Sequence, residues 1–314
     1  MALADWLVIG AGLAGLTAAR TLKDRGESVT VVEKSRAAGG RLSTRRVGDI
    51  GYDHGAQYLT ARGKPFRALM TGLSNQGSVA LWEPGGKDRD EEWHVGQPGM
   101  RHLVEPLCTG IDIVFGTRVD ALEPESGGVI VRWTDGAGKG IARRFDRVIS
   151  TVPAPQALAL LDGHDPVFAA IADVQMAPCW ALMLGFAGPV EGAADIYRAP
   201  NDAIGWVSRN SSKPQRTGHT YVVHASPDWS RAHLELAKEE AARALLPHFR
   251  YATGIEEEPQ YLDAHRWRYA FVEKPLGQPF LTSEDRRLLA CGDWCIAPRA
   301  EAAFESARLL CDSL

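Results

Sequence analysis

The sequence predicts an α/β chain whose two ends build one domain of sheet and helix, and whose middle forms an inserted antiparallel-sheet α+β domain. Three observations predict it. An apolar strand ends at Ile9 and runs into Gly10, Gly12 and Gly15, spaced G-x-G-x-x-G at the head of a helical pattern. A second strand, "SVTVVEKS", carries Glu33 at its end, about 20 residues further on. Near the C-terminus, "RLLACGD" returns as a short buried strand after a long middle region of other strands.

Taken in order, the first element is the glycine turn. Gly10 permits the tight turn, and Gly12 lets the backbone approach a pyrophosphate. Gly15 lets the helix pack closely on the strand, and the helix start offers N–H groups and partial positive charge to phosphates. The helix is expected to stop at Gly26. A carboxylate at Glu33 can accept from a ribose diol, which makes this a Rossmann-type dinucleotide fingerprint. NAD and FAD share the ADP half, so the fingerprint alone does not choose between them.

"GMRHLVEPLC" (residues 99–108) is expected to be helical, with Met100, Leu103, Val104 and Leu107 on one face. "IDIVFGTRV", "GGVIVRWTDGAG" and "ARRFDRVIST" read as short strands, with a hairpin turn at Asp135-Gly136. "VPAPQALALL" changes to a helix. From about Val174, "WALMLGFAG", "AIGWVSRN", "TYVVHAS" and "YLDAHRWRYAF" read as strands of an antiparallel sheet. One long helix, Arg231 to Leu246, interrupts them, with Ser230 as its cap and Pro247 as its stop. "EKPLGQPF" is a Pro/Gly crossover, and a last helix starts near Glu301. The expected division is 1–70, 99–160 and 276–314 for the nucleotide domain, and 71–98 and 161–275 for the substrate domain.

Bulk properties narrow the function classes. With 314 residues, 45% hydrophobic and 24% charged, the composition is that of a globular protein. A net charge of −4 gives no electrostatic footprint for nucleic acid. No stretch reaches 18 uninterrupted apolar residues, so no membrane span is expected. The start "MALADWLVIG" has no basic n-region, so no signal peptide is expected. The five cysteines form no C-x-x-C pair and the histidines no zinc-like spacing, which predicts a cytoplasmic protein with buried thiols and no metal site.

Two further motifs choose the cofactor. "AAGGRLSTRR" sets Gly39 and Gly40 before Arg41, with Arg45 and Arg46 behind; paired glycines bring N–H groups to an anion, and an arginine fork holds phosphate oxygens. "LLACGDWC" puts Gly292 and Asp293 at a strand tip, where a carboxylate can accept from a ribityl chain. The helix that follows would point its positive end at the N1/C2=O edge of an isoalloxazine, which gains negative charge on reduction. Glu33, Arg41 and Asp293 together fit the contacts of a glutathione-reductase-like FAD fold. A plain NAD dehydrogenase leaves the last two motifs unexplained, so non-covalent FAD is the expected cofactor.

With these motifs assembled, the chain resembles the renalase-type flavoproteins, a branch of the flavin amine oxidase superfamily. The resemblance runs nearly end to end. Its narrow signatures are "DHGAQYLTAR" (Asp53 to Arg62), "WVSRNSSKP" around Trp206, and "AHRWRYA" followed by "CGDWCIAPRAEAAFESA". The resemblance implies oxidation of dihydronicotinamide dinucleotides whose hydride sits at ring C2 or C6, the 2-dihydro isomer foremost. Hydride would pass to flavin N5, and O2 would reoxidise the flavin to give hydrogen peroxide and NAD(P)+. A dihydropyridine that loses hydride becomes aromatic, so no general base is required and none is assigned. Expected cofactor contacts are Gly10, Gly12, Leu13, Ala14, Gly15, Glu33, Lys34, Gly40, Arg41, Val119, Gly292, Asp293, Glu301, Ala302 and Ala303.

Candidate pocket residues come from strand alternation and from the resemblance. The "HRWRYA" strand sets His265, Trp267 and Tyr269 on one face and Arg266 and Arg268 on the other. Trp206 aligns with Ser208 and Asn210, and His224 with Val222. Gln57 and Tyr58 are expected beside the flavin by resemblance. The chain departs from its relatives where they carry two glycines and it has Ala302 and Ala307; a methyl at Ala302 sits where a helix start should approach the flavin pyrimidine. Two other readings stay open: an amine (CH–NH) oxidase of the same superfamily, and a flavin-binding sensor or partner protein with little turnover.

Overall fold

The computed structural model describes residues 4–87, 91–190 and 193–314, so the first three residues of the N-terminal run lie outside it. The chain forms two compact units. The first comprises residues up to Gly40, Val104–Met176 and Val272–Leu314; the second comprises Arg41–Leu103 and Ala177–Phe271. These boundaries differ from the expected division. Residues 41–70 and 99–103 fall in the second unit, while 161–176 and 272–275 fall in the first.

The first unit is built on a six-stranded sheet in the order Leu281–Thr282, Leu288–Ala290, Arg147–Ser150, Asp5–Ile9, Ser28–Val32, Asp112–Val114. All neighbours are parallel except the Leu281–Thr282 edge, which pairs antiparallel. Trp6 to Ile9 and Val29 to Val32 are buried, as strands covered on both faces must be. The Leu13–Asp24 helix follows the first strand, and the Ala300–Asp312 helix packs against it. A three-stranded antiparallel sheet, Arg118–Glu125, Gly128–Thr134 and Gly140–Phe145, completes the unit with the helix Ala154–Leu161.

The second unit holds a five-stranded antiparallel sheet ordered Ile196–Asn201, Ile204–Arg209, His219–Ala225, Gln175–Phe186, Tyr261–Lys274. One face packs Leu182, Leu184, Val207, Tyr221 and Val223 on Leu245 and Phe249 of the helix Lys238–Thr253. Two small ribbons, Arg45–Val47 with Ile50–Tyr52 and Val79–Leu81 with His94–Gly96, lie in the same unit.

Two sequence expectations fail for identifiable reasons. The single helix Arg231–Leu246 is two helices, Pro227–Ala232 and Lys238–Thr253. The cap of the first is Ser226, which accepts from Trp229 N–H; Ser230 lies inside it, its buried hydroxyl bound to Trp180 N–H. Between them, the His233 and Leu234 carbonyls accept from Trp180 Nε1 and Arg266, which takes them out of a helical ladder. Pro247 does not stop the second helix; it lies on the exposed face, where water can satisfy the carbonyl left without its N–H, and Gly254 in a left-handed conformation ends the helix instead. The helix expected over 99–108 is two short 3-10 turns, Met100–Leu103 and Glu105–Cys108, because Pro106 interrupts an α-helical ladder. Among the described residues no helix is long and apolar enough to cross a membrane.

Candidate functional site

The expected dinucleotide cradle in the first unit is shaped by backbone geometry. A Cβ at Gly15 would lie 1.9 Å from the Gly10 carbonyl oxygen, so only glycine lets the helix start this close to the strand. A Cβ at Gly12 would meet nothing within 4 Å. That open space lies at a helix start that no side chain caps, with no acidic residue in the first turn, so no capping side chain takes the first-turn N–H groups of Leu13, Ala14 and Gly15. Gly40, at φ +53°, approaches so closely that a Cβ there would lie 3.3 Å from Gly12 Cα. These features fit a pyrophosphate.

Glu33 is buried, its two oxygens accepting from Ala11 N–H at 2.8 Å and Ser35 N–H at 2.7 Å. A carboxylate has about four lone-pair sites, so each oxygen retains capacity for a ribose hydroxyl. An open depression of about 500 Å³, lined by Lys34, Ser35, Gly116, Arg118, Thr134 and Asp135, lies in the same unit and is large enough for half of a dinucleotide. The Val119 side chain is core, paired in register with Trp133, so only its backbone is available to a ligand.

The C-terminal motif is held by its own network. Gly292 N–H donates to Ser306 Oγ, and Trp294 Nε1 donates to the Val152 carbonyl. Asp293 opens a four-residue helical turn and is 7% exposed. The last helix starts without a side-chain cap, with Glu301 and Ala302 buried in its first turn and Ala303 half-buried. Glu305 pairs with Arg299 at 3.4 Å, and Arg299 also lies 3.7 Å from Glu301. Ala307 is fully buried among the core residues. Burial pushes the Cys295 thiol up to about 12 and raises the Cys291 thiol well above its ordinary value, which makes both poor nucleophiles.

The second unit holds a polar centre that sequence reasoning did not assemble. Asp53 is fully buried and accepts from Arg216 at 2.6 and 3.1 Å, Met100 N–H, and the Thr44 hydroxyl; Lys213 Nζ lies 3.4 Å away. Burial alone would raise its pKa, but the Lys213 and Arg216 cations with these hydrogen bonds outweigh that and hold it at about 2. Lys213 is buried as well, donating to Gln57 Oε1 at 3.0 Å and Asn210 Oδ1 at 3.3 Å; desolvation brings it down to about 8 against the pull of Asp53. The centre therefore sets two buried cations against one carboxylate.

Gln57 is the hub. Its Nε2 donates to the carbonyls of Asp53 and Gly55, and its Oε1 accepts from Ser208 and Lys213. Both amide hydrogens are spent on backbone, so Gln57 is an organiser of the loop. His224 lies 3.3 Å from it, and its register partner on the next strand is Trp206, itself opposite Arg198. His265 meets His54 edge-on at 4.8 Å and Trp267 at 4.4 Å, and Trp267 Nε1 donates to the His54 carbonyl. Desolvation leads the depression of all three histidines, His54 to about 3 and His224 and His265 to about 4, so they are neutral at neutral pH. On the opposite side of the Tyr261–Lys274 strand, Arg266 and Arg268 both pair with Glu235.

An aromatic group adjoins this centre. Tyr58 stacks on Trp93 at 3.8 Å and 9°, as diagonal neighbours across the Leu59–His94 bridge, and lies 5.8 Å from Trp206. The chain's own cations cover these rings: Lys213 over Trp82 at 5.3 Å, and Arg198 over both Trp93 and Trp206 at 5.1 Å. Arg41, expected at the pyrophosphate, belongs to the second unit and donates to the Ala270 carbonyl, while Arg45 pairs with Asp263. The unforeseen residues Asp53 and Lys213 both lie inside stretches that carry the sequence resemblance, which is the one signal that pointed to them.

A family model described as flavin containing amine oxidoreductase matches residues 73–314, and one described as an NAD(P)-binding Rossmann-like domain matches residues 8–73. The chain is 43% identical over 63 residues to an L-amino-acid oxidase of Siganus canaliculatus, a match that covers 19% of this chain and only 12% of that protein. A protoporphyrinogen oxidase candidate from Exiguobacterium sp. 255-15 shares the fold with a TM-score of 0.80 at 12% identity, over 100% of this chain and 99% of its own. Cyclohexylamine oxidase from Brevibacterium oxydans IH-35A follows with a TM-score of 0.73 at 13% identity, over 99% and 98%.

Proposed function

The chain belongs to the flavin containing amine oxidoreductase family, and from that premise we propose that it is an FAD-dependent oxidase of reduced nicotinamide dinucleotides, the 2-dihydro isomer foremost. The net reaction is reduced dinucleotide, O2 and a proton giving oxidised dinucleotide and hydrogen peroxide. Bound FAD supplies a two-electron acceptor that O2 can regenerate. Gly10, Gly12, Gly15 and Gly40 would admit its pyrophosphate, with Glu33 at the ribose, Lys34 and the Val119 backbone toward the adenine end, and Asp293 at the ribityl chain. The helix start at Glu301, Ala302 and Ala303 would stabilise negative charge on the reduced ring.

The observation that carries the substrate reading is the cationic lining of the second unit. Two buried cations, Lys213 and Arg216, face one carboxylate, Asp53, and the faces of Trp82, Trp93 and Trp206 are covered by Lys213 and Arg198. An alkylammonium substrate would meet like charge where a cage for it needs open aromatic faces. A dinucleotide brings phosphates and a neutral dihydropyridine. Histidines held near 3 to 4 are poor general bases at neutral pH, which suits hydride loss driven by aromatisation. In this reading the side chains of Tyr58, Trp206, His224, His265 and Trp267 bound the ring site, and Gln57 fixes the loop that carries Tyr58. The test is aerobic turnover of separate dihydro-NAD isomers beside a panel of primary amines. Oxidised NAD and peroxide in equal amounts from the 2-dihydro isomer are expected; peroxide from amines alone would refute the substrate assignment.

A further inference from the structure

His224 and Trp267, both assigned above to the ring site, take their setting from one short loop. Trp267 Nε1 donates to the His54 carbonyl at 2.9 Å, and the His224 ring is hydrogen-bonded to the His54 and Gly55 carbonyls. The loop is closed in turn by Gln57, whose Nε2 donates to the Asp53 and Gly55 carbonyls at 2.6 and 2.9 Å. That closure holds only while the amide keeps its oxygen turned to Ser208 Oγ at 2.7 Å and Lys213 Nζ at 3.0 Å. Lys213 follows the 3-10 turn Asn210–Ser212, and its side chain is fully buried. Its ammonium has three N–H groups and three acceptors: Gln57 Oε1, Asn210 Oδ1 at 3.3 Å and Asp53 Oδ2 at 3.4 Å.

An ammonium donates and never accepts, so beside it the Gln57 amide admits one orientation. A neutral amine carries a lone pair that can accept from an amide N–H. Removal of the proton therefore lets the amide turn over and withdraw both donors from the loop carbonyls. Desolvation brings Lys213 down to about 8 against the pull of Asp53, which puts this change just above neutral pH. The charged and titratable groups facing Lys213 are Asp53, Arg216 and His224. Asp53 at about 2 and His224 at about 4 do not change charge above pH 7, and a guanidinium keeps its proton throughout.

We propose that Lys213 is a positioning residue for substrate oxidation: its ammonium fixes the Gln57 amide, the amide closes the loop over residues 53–57, and the loop sets His224 and Trp267 for the dihydronicotinamide ring. This rests on the dinucleotide reading above and deepens it. Lys213 makes and breaks no bond to substrate; it acts through Gln57, and loss of its proton to solvent releases the loop.

The test follows anaerobic flavin reduction by saturating 2-dihydro-NAD across pH 7 to 9.5 in the flavin-loaded wild type, Lys213→Met and Gln57→Leu. Hydride loss releases no proton from the substrate, so the reaction itself supplies no alkaline limb. A misplaced ring costs roughly tenfold or more in rate. The wild-type rate should fall by roughly that factor as pH rises through about 8. Lys213→Met fills similar space without donors and leaves Asp53 paired with Arg216, so it should be slow already at pH 7 and flat above it. Gln57→Leu leaves Lys213 its charge and removes only the acceptor, and it should flatten the profile in the same way. Near-ultraviolet circular dichroism, which reports the setting of Trp267 and the rings around it, should titrate at the same midpoint in the wild type alone, independent of turnover. A wild-type rate or spectrum flat through pH 8, or an alkaline fall that persists in either variant, would overturn the assignment of Lys213 while leaving the enzyme reading intact. Failure of the wild type to oxidise any dihydro isomer would overturn the reading itself and this inference with it.

Discussion

Replacing Asp53 by asparagine removes a buried carboxylate hydrogen-bonded to two buried cations, and the structure sets the size of the effect. A carboxyl held at about 2 instead of its ordinary 3.8 reflects roughly 2–3 kcal/mol of favourable interaction in the folded state. Leaving buried charges unpaired typically costs about 3–5 kcal/mol. Asparagine keeps an oxygen for Met100 N–H and Thr44, and Lys213, already near 8, can shed its proton once Asp53 is neutral. We therefore expect a loss of about 3 kcal/mol at pH 7. The pH dependence is part of the expectation. A depressed carboxyl pKa contributes stability above 3.8 that is lost as pH falls toward 2, so wild type and variant should converge on acidification. They should also draw closer by pH 9, where Lys213 is largely neutral in both. Urea unfolding followed by tryptophan fluorescence measures this from the midpoints at constant slope. A difference below about 1 kcal/mol at pH 7, or one independent of pH, would refute the placement of these charges.

Two further outcomes are expected. Gly15→Ala forces a Cβ to within 1.9 Å of the Gly10 carbonyl oxygen, so purified variant should retain flavin roughly tenfold to hundredfold less tightly, read from visible absorbance per protein with circular dichroism as the fold control; wild-type occupancy would contradict the cradle. His54, His224 and His265 all have lowered pKa values, so the unfolded chain takes up protons below pH 6.5 that the folded chain refuses until about 4 or lower. Stability should therefore fall as pH drops through that window, and His265→Phe should flatten the slope by about 1 kcal/mol per pH unit in urea titrations.

What the sequence disclosed was local. The Gly10–Gly15 turn, Glu33 and the short strand before Gly292 could be placed because each motif carries its own geometric reason within a few residues. The boundary of the helices near Arg231 could not, because it depends on Trp180 and Arg266 capturing the carbonyls of His233 and Leu234 from distant strands. Pro247 misled for the complementary reason: a proline on an exposed helix face costs less than its propensity implies. The Asp53–Lys213–Arg216 centre joins residues about 160 positions apart, so no period or spacing could announce it. The faces that Trp206 and His224 take within their own strands were legible, but that the two pair, and that Arg198 would lie over Trp206, required the register of three strands and a bulge.

The central claim, that a reduced dinucleotide and not an amine is the substrate, is most directly tested in a single anaerobic turnover. Flavin-loaded protein is mixed with the 2-, 4- and 6-dihydro isomers of NAD and with primary amines, each separately, and loss of the visible flavin band is followed. Rapid bleaching by the 2-dihydro isomer, with oxidised NAD released and amines inert, is expected. Bleaching by an amine, with all three dinucleotides inert, would contradict it.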